Sequence, residues 1–150
     1  MRKALVVGIV LALLAAGAAA VLLTRPKPVP TAPPVPMAGR PEVAYLRSVK
    51  ECEVRFGARP ETFKLTQDEV VRLADIAEAS AVDNHPAKWA FDAQLTGTCG
   101  SGAWIEMACS RRGEFRILCH DGERHLRVYG KTGTRPSIYE CLQGCKSTRP

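Results

Sequence analysis

A thiol, an imidazole and a carboxylate follow one another directly at Cys119, His120 and Asp121. Enzymes with a nucleophilic cysteine need a histidine that takes the proton of the thiol, so these residue types first suggest nucleophilic catalysis. The residues fall at the end of a predicted strand, however, where successive side chains point to opposite faces. Cys119 and His120 therefore cannot meet as nucleophile and base, and the sequence predicts no catalytic residue.

All six cysteines lie C-terminal to an apolar segment, residues 4–23, that has the character of an export signal. An even number of cysteines after such a segment is typical of disulfide-bonded domains in an oxidising compartment. The six cysteines are Cys52, Cys99, Cys109, Cys119, Cys141 and Cys145. We predict three disulfides, each contributing about 2–4 kcal/mol to stability. In this prediction Cys52 is bonded to Cys99, and the pair Cys109 and Cys119 is bonded to the last two cysteines.

A zinc site is the alternative use of these cysteines. Cys141 and Cys145, one helical turn apart, would bind the metal together with Cys119 and with His120 or His125. Structural zinc sites usually contain two close ligand pairs, whereas this set contains one, so disulfides are favoured. A smaller group of possible ligands near a turn consists of His120, Glu123 and His125. Surface histidines without a metal are commoner than metal sites, so we predict no metal and no cofactor.

One face of the predicted sheet combines the side chains that recur in binding sites. In the predicted register these are Trp104, Arg116, His125, Arg127 and Tyr129. Large planar and guanidinium groups dominate the energy of many interfaces. The register also places Arg116 beside Arg127, two cations that repel one another unless an anion lies between them. We predict that this face binds a partner. The alternative is that a helix covers Trp104 and Leu118, and that the charges form a solvated rim.

Two helices are predicted before this sheet. The first spans 41–56, because an apolar stripe recurs at helical spacing and Gly57 follows as a stop. The stripe consists of Tyr45, Val49, Cys52 and Phe56. The second helix begins at Thr66, which is predicted to form a capping box with Glu69, and it ends before Pro86. Its predicted buried stripe consists of Val70, Leu73, Ala74 and Ala77.

From residue 89 onward the pattern changes to an alternation of apolar and polar residues, as in half-buried strands. The predicted strands are 89–95, 103–109, 114–119 and 124–129, followed by a helix over 137–146. The predicted fold class is therefore α+β. It consists of two helices, a four-stranded antiparallel meander and a C-terminal helix, stapled by disulfides.

Two turns set the register of this meander. A type I turn with a bulge at 110–113 places Met107 opposite Ile117. A type I′ turn at Asp121-Gly122 places Ile117 opposite Leu126 and Phe115 opposite Val128. Apolar residues then meet along one face of the sheet, which a shift by one residue would destroy.

The N-terminal segment 4–23 consists of 20 consecutive residues without a charge or a strongly polar side chain. As a helix it would span about 30 Å, the thickness of the hydrocarbon core of a bilayer. We predict that residues 1–24 are a signal-anchor that stays as a membrane-spanning helix, with a cleaved signal peptide as the alternative. Residues 25–41, rich in proline, are predicted to form an extended linker, and residues 42–150 the domain.

The chain of 150 residues carries a net charge of +6, but this charge is unevenly distributed. Residues 1–40 contain five of the 21 basic residues and no acidic residue, which leaves 16 basic against 15 acidic residues in the remainder. The excess flanks the apolar segment, where membrane topology accounts for it. A nucleic acid is therefore not an expected partner.

The predicted anchor, linker and small domain together indicate a membrane-anchored, extracytoplasmic binding or assembly module without enzymatic activity. We expect residues 4–23 to anchor the chain in a bacterial inner membrane, with the domain on the periplasmic side. A protein or an anionic cell-envelope polymer is the expected partner. Cleavage of the signal would instead give a secreted or periplasmic inhibitor or a toxin-neutralising protein. A small cell-envelope enzyme is the third class, and it requires a pocket with perturbed ionisable groups.

Overall fold

Seven antiparallel strands and three helices make up residues 33–84 and 90–149, the part of the chain that the computed structural model describes. The strands are β1 (Val49–Phe56), β2 (Thr62–Lys64), β3 (Ala81–Val82), β4 (Ala93–Cys99), β5 (Trp104–Cys109), β6 (Glu114–Asp121) and β7 (Arg124–Lys131). The helices are α1 (Pro41–Arg47), α2 (Gln67–Glu78) and α3 (Ile138–Ser147). All strands belong to one sheet in the order β2-β1-β4-β5-β6-β7-β3. The predicted four-stranded meander is therefore wrong, because β4–β7 are the middle of a larger sheet.

The first predicted helix, 41–56, is wrong in its second half. Helix α1 ends at Arg47, and strand β1 follows from Val49. Val49, Cys52 and Val54 are buried in β1, whereas Glu53 is exposed. This alternation is that of a strand, with one bulge after Val49 that changes its phase. The same apolar residues also fit helical spacing. Pairing of β1 with both β2 and β4 decides between the two structures, and a local pattern does not contain that information.

Helix α2 begins at the predicted capping box. The Thr66 hydroxyl accepts a hydrogen bond from the Glu69 backbone N–H (3.3 Å), and the Glu69 carboxylate accepts one from the Thr66 N–H (2.8 Å). The predicted stripe of Val70, Leu73, Ala74 and Ala77 is buried, which confirms the face of this helix. Helix α3 begins with a second capping box, formed by Ser137 and Glu140, which we did not predict.

The hairpin of β5 and β6 has the predicted register, since Met107 lies opposite Ile117. The hairpin of β6 and β7 is shifted by two residues from the prediction, so that Ile117 lies opposite Val128. Its loop is Gly122-Glu123, and Gly122 has the positive φ of 57° that such a tight turn requires. A shift of two leaves every side chain on its predicted face, because the side-chain period of a strand is two.

The fit between Gly130 and Phe115 accounts for this shift. The two residues are opposite one another in the structure, and Phe115 is completely buried. A Cβ atom on Gly130 would lie 2.3 Å from Cζ of the Phe115 ring, so only glycine leaves room for the ring. The predicted register would put the branched side chain of Val128 opposite Phe115 instead.

One hydrophobic core lies between the inner face of the sheet and the helices. The inner face is defined by the buried side chains of Ile105, Met107, Phe115 and Ile117. The helices contribute Leu46 from α1, Leu73 from α2 and Leu142 from α3 to the same core. Side chains one position along each strand point the other way and form the outer face of the sheet.

All six cysteines are free and buried in the structure, so the predicted disulfides are wrong. Cys52 lies opposite Gly97, whereas Cys99 lies two residues further along β4, about 7 Å along the strand. The Cys119 thiol lies 3.9 Å from the backbone carbonyl oxygen of Glu42, in α1 and not in the last helix. Among the described residues, no group of three or more His, Cys, Asp or Glu side chains is placed to hold a metal ion.

We expect all six thiols to react with a colorimetric thiol reagent when the chain is unfolded in denaturant without any reductant. The folded chain should react slowly with the same thiol reagent, because every sulfur is buried. Colorimetric thiol counting before and after denaturation measures both quantities, and a parallel sample treated with reductant gives the total. A count that rises only after reduction would contradict the free thiols of the structure.

The predicted anchor or signal, residues 4–23, lies outside the described residues. Within the described ones, no helix is both long and apolar enough to cross a membrane. The end of the predicted linker is part of the folded unit that begins at Pro34. Met37 is completely buried there, and Pro36 pairs with Ala81 at the start of β3.

Candidate functional site on the outer face of the sheet

Three neighbouring strands bring aromatic and imidazole side chains into one row on the outer face. Trp104 on β5 lies opposite His120 on β6, and His120 lies opposite His125 on β7. In the next row of the same face, Leu118 lies opposite Arg127. We call these five residues the Trp104 patch.

The Trp104 patch is open to solvent. Trp104 retains 40% of its accessible surface, although large apolar residues are usually more deeply buried. The rings of His120 and His125 are in edge contact, with centroids 3.8 Å apart. Trp104, Leu118 and Arg127 line a small hollow of about 170 Å³ together with the two histidines. The alternative in which a helix covers Trp104 is wrong for the described residues, because the three helices pack on the inner face.

Arg116 has a structural role that the sequence prediction missed. Its Nη2 atom donates to Glu106 Oε1 at 2.5 Å, and its guanidinium lies 4.7 Å from the centroid of the Phe91 ring. Only 25% of the Arg116 side chain and 14% of the Glu106 side chain are exposed. Arg116 lies opposite Tyr129 instead of Arg127, so the two guanidiniums are not paired as predicted. Arg116 therefore already has a counter-ion within the fold.

Three of the five predicted site residues thus lie together in the Trp104 patch: Trp104, His125 and Arg127. Arg116 and Tyr129 form the next row of the outer face. The prediction left out His120 and Leu118, although the alternation of β6 puts both on the same face as Trp104. The register with β5 was sufficient to find them.

The sequence Cys119-His120-Asp121 has no catalytic geometry in the structure. Cys119 is buried on the inner face, and burial raises the pKa of its thiol to about 12, so the thiol stays protonated at neutral pH. His120 is exposed on the outer face. Asp121 accepts a hydrogen bond from the Tyr45 hydroxyl at 2.5 Å, which ties the end of β6 to α1.

Comparisons with models of protein families, with curated proteins and with solved structures found no match to this chain.

Proposed function

We propose that this chain is a non-enzymatic binding module that holds a protein partner on the Trp104 patch. The observation that carries the proposal is the 40% exposure of Trp104 on a sheet face that the described helices leave uncovered. An indole loses little conformational entropy when it is covered, and it adds a large contact area, so an exposed tryptophan favours recognition.

The other side chains of the Trp104 patch define the chemistry of that partner. Leu118 extends the apolar surface beside the indole. Arg127 is exposed and offers a planar set of donors that fits a carboxylate. A protein surface with an apolar side chain next to an aspartate or glutamate would be complementary to both groups.

Truncation of the patch should weaken capture of the partner strongly and leave the fold intact. We expect Trp104→Ala and Arg127→Ala each to reduce affinity about tenfold or more, since interface residues of these types are frequent hot spots. The Arg127 change should alter the free energy of unfolding by no more than about 0.5 kcal/mol, because the side chain is exposed. Tagged full-length chain, incubated with extract of the cells that make it, supplies the measurement when bound proteins are quantified by mass spectrometry.

Lys64→Ala is the matched control for this experiment. Lys64 is an exposed cation on β2, at the far edge of the same sheet. A specific partner should be retained by the Lys64 variant and lost from both patch variants. Equal retention by all three variants would show that the Trp104 patch is not the binding site.

A further inference from the structure

A second, larger concavity lies at the end of the sheet where the inner core meets the turns. This end cleft has a volume of about 810 Å³. Six side chains give it its chemistry: Phe56, Arg59, Asp92, Arg111, Tyr139 and Lys146. They come from the end of β1, the β1–β2 turn, the segment before β4, the β5–β6 turn and helix α3, so only the folded chain brings them together.

Two aromatic rings form the floor of the end cleft. The rings of Phe56 and Tyr139 meet edge to face, with centroids 5.7 Å apart and an angle of 87° between their planes. Phe63 stacks against Phe56 at 6.0 Å, on a plane inclined by 14°. The floor is therefore fixed by aromatic packing: Tyr139 is buried beneath it, and the partly buried Phe56 ring presents an apolar surface to a ligand.

The guanidinium of Arg111 is positioned at this floor by an ion pair that leaves most of the side chain exposed. Its Nε atom donates to the Tyr139 hydroxyl at 3.2 Å and lies 3.4 Å from Asp92 Oδ1. Asp92 also accepts from the Arg111 backbone N–H at 2.8 Å, so the carboxylate mainly fixes the turn. The Arg111 side chain is 72% exposed, and an ion pair that exposed contributes little, at most about 1 kcal/mol. The guanidinium lies 5.6 Å from the centroid of the Tyr139 ring, and its exposed side is accessible to an anion.

Positive charge dominates the end cleft. Lys146 Nζ lies 5.6 Å from the centroid of the Phe56 ring and 3.9 Å from Glu61 Oε2, in an ion pair that is open to solvent. Arg59 is exposed in the β1–β2 turn. Three cations, Arg59, Arg111 and Lys146, thus face two carboxylates, Asp92 in the lining and Glu61 beside Lys146. An aromatic floor surrounded by guanidinium and ammonium groups is complementary to a carboxylate that stands next to an aromatic ring.

We propose that the end cleft binds an acidic peptide segment that carries an aromatic side chain. The three cations lie on three separate elements, which suits a chain bearing several carboxylates better than a small acid with one. The aromatic side chain of the peptide packs on Phe56, which Tyr139 supports from below, and the carboxylates of the peptide pair with the cations. This site is separate from the Trp104 patch, so either can fail without the other.

Fluorescence anisotropy of the full chain with three short labelled peptides tests the proposal. In the first peptide glutamate alternates with phenylalanine, in the second lysine alternates with phenylalanine, and in the third glutamate alternates with serine. We expect the first peptide to bind at least about tenfold more tightly than either of the others, because only it satisfies both the charges and the floor. Its affinity should fall as salt is raised.

Arg111→Gln should raise the Kd of the glutamate–phenylalanine peptide about tenfold, the effect of losing one charge-assisted contact. Arg112→Gln is the matched control, because Arg112 is exposed in the same turn but does not line the cleft. The control should leave the Kd within about twofold. The unfolding midpoint of each variant shows that the fold is retained, and Lys146→Gln supplies a second cleft variant if the Arg111 variant unfolds.

Three results would overturn the proposal. The first is equal binding of the glutamate and lysine peptides, and the second is an equal effect of the two arginine variants. The third concerns the size of the ligand. If phenylacetate, a small aromatic acid, displaces the peptide at concentrations comparable to the peptide Kd, the cleft is a small-molecule site and the peptide assignment is wrong.

Discussion

Gly130→Ala should destabilise the domain by about 3 kcal/mol, near the upper end of the range for overpacked cores. The added methyl group would lie 2.3 Å from Cζ and within 2.8 Å of two further ring atoms of Phe115. Phe115 is completely buried, so its ring cannot swing out into solvent. The hairpin of β6 and β7 must then separate locally or shift its register. Urea unfolding of the purified variant measures the loss.

Gly133→Ala is the control for the Gly130 variant, because nothing lies within 4 Å of a Cβ atom there. That change should alter stability by about 1 kcal/mol at most, the ordinary effect of replacing glycine outside a clash. Combining Gly130→Ala with Phe115→Leu should recover part of the loss, since a smaller side chain leaves room for the methyl group. Losses that simply add in the double variant would contradict a direct clash between the two residues.

The contact between Gly130 and Phe115 also explains why the sequence predicted the correct sheet face for each side chain but the wrong register between β6 and β7. Alternation is a local property with period two, and it assigned the side chains of β5, β6 and β7 to the correct faces. Register depends on which side chains fit opposite one another across two strands. The turn Asp121-Gly122 suggested one register, and the space needed by the Phe115 ring selected another.

The outer strands of the sheet were missed for a different reason. β2 and β3 contain three and two residues, too few to show any alternation. β1 is long enough, but its bulge after Val49 interrupts the alternation, and its apolar residues fit a helix equally well. Both errors come from long-range pairing, which overrides weak local signals.

The two candidate sites differ in how far sequence could predict them. Trp104, His125 and Arg127 could be assigned to one face because alternation on adjacent strands defines the faces of a sheet. In the end cleft, Arg59 and Arg111 belong to two different turns, whereas the aromatic residues Phe56 and Tyr139 belong to β1 and α3. No local pattern connects such residues, because their proximity is a product of the whole topology.

Raising the pH from 8 to 10 should lower the free energy of unfolding by roughly 1 kcal/mol for each of two buried thiols, Cys109 and Cys119. Burial raises the pKa of both thiols from about 9 to about 12 in the folded chain. Above pH 9 the unfolded chain therefore loses these protons while the folded chain keeps them. Because the unfolded state then binds fewer protons, stability is fully present below pH 9 and falls as pH rises toward 12.

Single variants separate these thiols from every other group that titrates in the same range. In Cys109→Ala or Cys119→Ala, the loss of stability between pH 8 and pH 10 should be smaller than in the parent chain by roughly 1 kcal/mol. Each variant is also less stable at pH 8, but that constant difference cancels when the two pH values are compared. Val128→Ala, a buried change without a titratable group, should keep the full loss of the parent. If both cysteine variants lose as much stability as the parent chain, the folded thiols ionise as readily as the unfolded ones, and burial does not raise their pKa.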